Sequence, residues 1–210
     1  MCRLGEHGKP GVLLLVGNGA HIGWWRPIAP LLAQDYRVAA FNWSGMGSSD
    51  WRDSYSSENF IAEAMAVAEA AGLFDAAVRP ILAAHSFGGF QGVRIIQRHG
   101  ERFRGAMLID SRLRIRSAWG AKAPAGQYFQ LHETREAAIA RFRLKPEQPP
   151  TNPFIIRALA EESLEEVDGG WRWRADPEFR SKTELGPDLI PLLPALRLRG
   201  KQPPARPLRR

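Results

Sequence analysis

The segment Pro80–Phe90 constrains this chain more than any other. Its uncharged apolar run, Ile81-Leu82-Ala83-Ala84, leads into His85-Ser86-Phe87-Gly88-Gly89-Phe90, where a helical pattern begins at once. A strand that hands over to a helix through so tight a turn needs small residues on both sides of the serine. Ala84 and Gly88 meet that need. Such a turn holds the Ser86 hydroxyl clear of the backbone and points the next N–H toward a developing oxyanion.

A second turn of the same character lies upstream. Val12-Leu13-Leu14-Leu15-Val16 is a continuous apolar run bounded by glycine, as expected of a strand buried on both faces. It ends in Gly17-Asn18-Gly19, which permits a sharp turn with backbone N–H groups at the strand's carboxyl end. Tyr36–Trp43 leads into the loop Ser44–Asp50, and Phe103–Ile109 ends in Asp110. Helical stretches separate these runs, so the reading is a βαβα chain with a parallel sheet. Ile61, Met65 and Ala68 mark one helix face ending at Gly72, and Phe90, Val93 and Ile96 mark another ending near Gly100.

These landmarks, in this order and spacing, resemble the α/β-hydrolase superfamily, in the branch with a helical lid after the sixth strand. The resemblance rests on Leu15–Gly19 followed by Trp24–Ile28, on Gly45–Asp50, on the Ser86 elbow and on Leu108–Ser111. It implies an α/β fold with a mostly parallel central sheet flanked by helices. A partial core would occupy residues 1–115, a helical lid 116–186, and a lead-in to a further strand plus a basic tail 187–210. It also implies acyl transfer on an ester or similar bond of a small apolar substrate. Ser86 is the expected nucleophile, the amides of Asn18 and Phe87 the oxyanion donors, and Asp110 a possible acid. Gly17, His21 and Trp24 are expected in the pocket. No cofactor and no metal are expected.

Three departures from the family pattern matter. Val16 stands where the family has histidine, and Ala84 where the elbow has glycine. The family's general base is a histidine after the last strand, yet the five histidines here are His7, His21, His85, His99 and His132. Residues 189–199 resemble the approach to a seventh strand, but Gly200–Arg210 holds three prolines and four basic residues and is no central strand. The expectation is a chain truncated or frame-shifted at this end, with impaired catalysis, edge strands missing at both sides of the sheet and self-association through the exposed edges. The alternative is a non-catalytic binding protein on the same fold. His85 should point away from Ser86 and serve packing, while His21 is a weak substitute base.

Charge narrows the partners. The net charge is +7, but residues 197–210 carry six basic residues and no acid, which leaves +1 for the rest. A nucleic-acid partner is therefore not expected. The apolar run at 12–16 is too short to span a membrane, and the single Cys2 fits a reducing, cytoplasmic setting. Within the lid, helices are expected over 134–144 and 155–167, an extended piece over 170–174, and a helix capped by Asp176 with Pro177 in its first turn. Seven tryptophans, among them Trp24, Trp25, Trp43 and Trp119, are candidates to line an apolar pocket, though most should serve packing.

Overall fold

The computed structural model describes residues 1–113, 130–144 and 152–196. Its centre is a five-stranded sheet. Strand β1 (Cys2–Leu4) is followed by β2 (Gly11–Leu15), the short helix α1 (Ala29–Leu32) and β3 (Arg37–Ala40). The two-residue β4 (Tyr55–Ser56) precedes helix α2 (Ser57–Ala70), then β5 (Ile81–His85), helix α3 (Phe87–His99) and β6 (Gly105–Ile109). The sheet order is β1-β3-β2-β5-β6, with β1 antiparallel to β3 and the other pairs parallel.

The order follows from patterning. In β2, Val12 to Leu15 are at most 5% exposed, because the strand sits mid-sheet with both faces covered. Helix α2 starts at a reciprocal cap: Ser56 Oγ accepts from Asn59 N–H, and Asn59 Oδ1 accepts from Ser56 N–H. It stops at Ala71, with Gly72 at φ +68 beyond it. Phe60, Trp43, Phe87 and Phe179 meet edge to face or tilted, with ring centroids 5.3 to 6.2 Å apart, and pin α2, α3 and the C-terminal segment to one core.

One sheet edge differs from expectation. An antiparallel strand, β1, covers β3, so that side ends in a three-residue strand rather than an open parallel edge. The other side is open among the described residues. In β6, Met107, Leu108 and Ile109 are 59%, 38% and 38% exposed.

The segment after β6 also departs from the reading by helices. Helix α4 spans only Arg135–Ala140, capped by Thr134, and α5 runs Pro153–Glu162. Where a helix was expected to continue to Val167, the chain forms β7 (Leu164–Val167) antiparallel to β8 (Gly170–Trp173). The Asp168-Gly169 pair makes the turn, and Arg172 Nε donates to Glu165 Oε1 across the pair at 2.7 Å. Tertiary pairing overrides helical propensity here, since His132 exchanges both backbone hydrogen bonds with Trp171 on the other side of β8. Residues 177–182 form turns, not a helix, before β9 (Thr183–Glu184) pairs with β4. Asp176 caps that turn by accepting from Glu178 N–H at 2.8 Å. Residues 190–195 form a 3₁₀ turn. Trp119 and the basic tail lie outside the described residues.

Candidate active site

Strands β2 and β5 are neighbours in register, Leu15 beside Ala84, so the turns that follow them lie side by side. They leave the sheet where the chain switches direction, since β3 lies on one side of β2 and β5 on the other. In an open α/β sheet that is where a crevice forms at the carboxyl ends. A Cβ placed on Gly17 would lie 3.0 Å from His85 Nδ1 and 3.2 Å from Ser86 Cβ, so a larger residue would push those side chains aside.

Ser86 adopts φ 52, ψ −116 between β5 and α3. A non-glycine residue with positive φ is strained, and the structure holds it there by hydrogen bonds on both sides. Ser86 N–H donates to Ile109 O at 2.9 Å, and Ser86 O accepts from Gly89 and Phe90. The turn closes because Gly88 packs directly on the end of β2, where a Cβ would sit 2.6 Å from Val16 O. Val16 itself is 1% exposed, and its carbonyl accepts from Trp43 Nε1 at 3.0 Å. Valine at this position is thus a core residue. Asp110, at φ 44, ends β6 beside Ser86 and is exposed.

A cavity of about 760 Å³ opens over this crevice. It collects Gly17, Asn18, His21, Trp24, Ser86 and Asp110, which are six of the seven residues singled out in the sequence. Phe87 lies off the cavity: its ring is buried in the core, and its backbone starts α3. Trp25 and Trp43 are core residues, while Trp173, from the C-terminal segment, joins the lining. The cavity is not uniformly apolar, because Arg141, Arg143 and Arg174 line it too.

The histidines divide by what holds them. His7 pairs with Asp75 at the surface, at 2.8 Å, and His99 ends α3. His21 is 4% exposed with both ring nitrogens occupied. Its Nδ1 accepts from Gly23 N–H at 3.1 Å, and its Nε2–H faces Leu159 O and Ser163 Oγ at 3.2 and 3.1 Å. Burial holds its pKa below the ordinary value, against the Leu159 carbonyl and Glu162. It therefore bridges the Gly17 turn to α5 as a neutral imidazole and has no nitrogen left for Ser86.

His85 corrects the expectation of a purely packing residue. Its ring flanks Gly17 and lines the cavity, because the glycine leaves space that a side chain would fill. His132, which carried no sequence signal, also lines the cavity. It is 6% exposed, its Nε2 is buried without a partner, and burial and Arg141 both lower its pKa. No histidine is hydrogen-bonded to Ser86 Oγ among the described residues. Among the described residues Ser86, the Gly17 turn and Asp110 share one cavity, with no assembled proton relay.

The C-terminal segment is tied to the sheet side by two loops. Asp176 N–H donates to Gly45 O and Gly47 N–H to Arg174 O, each at 2.8 Å. Asp176, 3% exposed, also accepts from Tyr55 Oη at 2.7 Å and pairs with Lys182 at 3.2 Å. These contacts hold Arg174 and Ala175 against the cavity. Among the described residues no group of His, Cys, Asp and Glu is arranged to hold a metal ion, and no helix is long and apolar enough to cross a membrane.

Comparison with known proteins gives the fold a family. No curated protein matches the chain by sequence. Among solved structures, an E-2-(acetamidomethylene)succinate hydrolase superposes with a TM-score of 0.67 at 22% identity, covering 86% of this chain and 65% of that one. The thioesterase domain from the curacin biosynthetic pathway gives 0.69 at 25% identity, covering 86% and 70%. An α/β hydrolase from Novosphingobium aromaticivorans gives 0.69 at 20% identity, covering 92% and 71%. The chain thus spans about two thirds of the length of these structures. The model of the alpha/beta hydrolase family matches residues 12–208, and the chain belongs to that family.

Proposed function

We propose that this chain is a serine hydrolase acting on an ester or similar acyl bond, with Ser86 as nucleophile. The observation that carries the reading is the strained Ser86 backbone, fixed between β5 and α3 beside the Gly17 turn and opening on the cavity. Ser86 Oγ would attack the carbonyl carbon of a small-molecule substrate. The N–H groups of Asn18 and Phe87 would hold the oxyanion, and Asp110, which lines the same cavity, would be the acid. The leaving group departs with a proton, and water then cleaves the acyl-enzyme. The expected lid, 116–186, serves in this reading as the cover of the site through its described residues 130–144 and 152–186, and the exposed, unpaired Cys2 fits a cytoplasmic setting.

The same geometry supports a slow enzyme. With His21 occupied and no histidine on Ser86 Oγ, the hydroxyl lacks its base, a loss on the order of 10⁴ to 10⁶ in rate. That observation equally favours a second reading, a ligand-binding protein that keeps the cavity without turnover. Labelling of the folded protein by a fluorophosphonate probe separates the two. Labelling lost in Ser86→Ala supports the hydrolase, and an unlabelled, well-folded wild type removes it in favour of the binder.

A further inference from the structure

The cavity that Ser86 lines also carries arginines that pair with no carboxylate among the described residues. Arg141 and Arg143 follow α4, and Arg174 follows β8; all three line the cavity. Asp110 is the only carboxylate among the described lining residues. Elsewhere the arginines of this segment pair with acids, as Arg157 does with Glu161 and Arg172 with Glu165. The cavity arginines are instead held by neutral oxygens. Arg141 Nη1 donates to Gln130 Oε1 at 2.9 Å, and Arg174 Nε donates to Leu164 O at 2.8 Å. Arg143 Nη1 donates to Ala140 O and Phe142 O, which caps the end of α4, so the argument rests on the other two.

A neutral acceptor orients a guanidinium without cancelling its charge, and it leaves the remaining N–H donors directed outward in a fixed fork. The positive field reaches into the site. Beyond burial, the main cause, Arg174 is among the charges that keep His21 below its ordinary pKa, and Arg141 acts likewise on His132. A cavity of this volume with one cationic wall and one presented hydroxyl suits a molecule with two functional ends.

We propose that the cavity binds an acyl compound bearing a second, anionic group, a carboxylate or a phosphate, held by Arg141 and Arg174 while its acyl carbon faces Ser86. The placement of the acyl carbon rests on the hydrolase reading; the preference for an anion does not.

The test uses the full chain as Ser86→Ala, so that no probe is consumed, and calorimetry with three probes built on the same four-methylene spacer. These are monoethyl adipate, its neutral diethyl ester, and ethyl 5-phosphonopentanoate. The expected result is about tenfold tighter binding of an anionic probe than of the diester, weakening with added salt. Whichever anion binds tighter identifies the group. The preference should shrink severalfold in Arg174→Gln and in Arg141→Gln. Because Arg174 also holds the Leu164 carbonyl, the exposed Arg141 gives a variant free of that structural role. Equal binding of all three probes, no binding of either anion at millimolar concentration, or a preference unchanged in both variants overturns the proposal. Fluorophosphonate labelling of the wild type is read separately. An anion preference without labelling removes only the hydrolase reading, and labelling without a preference removes only this one.

Discussion

Three glycines on or beside α3 form a graded test of how the elbow is held. At Gly88 an added Cβ would meet backbone: Val16 O at 2.6 Å, Leu15 O at 2.9 Å and Leu15 C at 3.0 Å. Ordinary carbon contacts lie at about 3.5 Å, so the helix must lift by several tenths of an ångström. Strand β2 cannot retreat, since it is hydrogen-bonded to β3 on one side and β5 on the other. Alanine's better helix propensity returns at most about 1 kcal/mol, against about 1–3 kcal/mol for overpacking. Gly88→Ala is therefore expected to lose about 1–2 kcal/mol, and to slow fluorophosphonate labelling because Ser86 and Phe87 move with the helix. At Gly92 the nearest atoms are the tip of Leu82 at 3.0 Å and Ala84 Cβ at 3.3 Å, so propensity and crowding nearly cancel. At Gly105, in β6, nothing lies within 4 Å, and alanine should gain about 0.4–1 kcal/mol by restricting the unfolded chain. Urea denaturation of the three variants reads the order directly. A Gly88→Ala protein as stable as wild type, or less perturbed than Gly92→Ala, would refute the claim that backbone contact between α3 and β2 sets the elbow.

Other perturbations follow from the same contacts. Burial keeps His21 and His132 below the ordinary 6.5, so between that value and the lower folded one the unfolded chain binds more protons. Stability should be fully present above about pH 6.5 and fall as pH drops through that window; a pH-independent urea midpoint, or one unchanged in slope by His21→Gln, would sink this account. Asp176→Ala strips the buried Tyr55 hydroxyl of its acceptor, leaving Lys182 only Glu178, and should cost about 3 kcal/mol, against about 1 for Tyr55→Phe, by thermal or urea melting. The β6 edge, open among the described residues and apolar on both faces, is proposed to pair with a second copy of the chain. Sedimentation should show concentration-dependent association that Met107→Lys suppresses, and a wild type monomeric at all concentrations rules it out.

Much of the core is legible because each signal is local. The run Val12–Val16 must be buried on both faces, Ser56 and Asn59 cap one helix by themselves, and Ala84, Ser86 and Gly88 need no distant partner to make a tight turn. The Asp168-Gly169 pair was a readable hairpin signal, yet the apolar spacing through Val167 suggested a helix. The choice between them depended on His132, some thirty-five residues away in sequence, which hydrogen-bonds the far edge of β8.

By itself the sequence determined the α/β class, the positions of the four parallel strands β2, β3, β5 and β6 and of the elbow, and the absence of a histidine after residue 132, because these depend on residue type and short-range spacing. Only the tertiary structure decided that Cys2–Leu4 closes one sheet edge and that both nitrogens of His21 are occupied. It also decided that His85 turns into the cavity and that Arg141 and Arg174 line it held by neutral oxygens. Each of those outcomes is fixed by partners far away along the chain, where no local pattern carries the information.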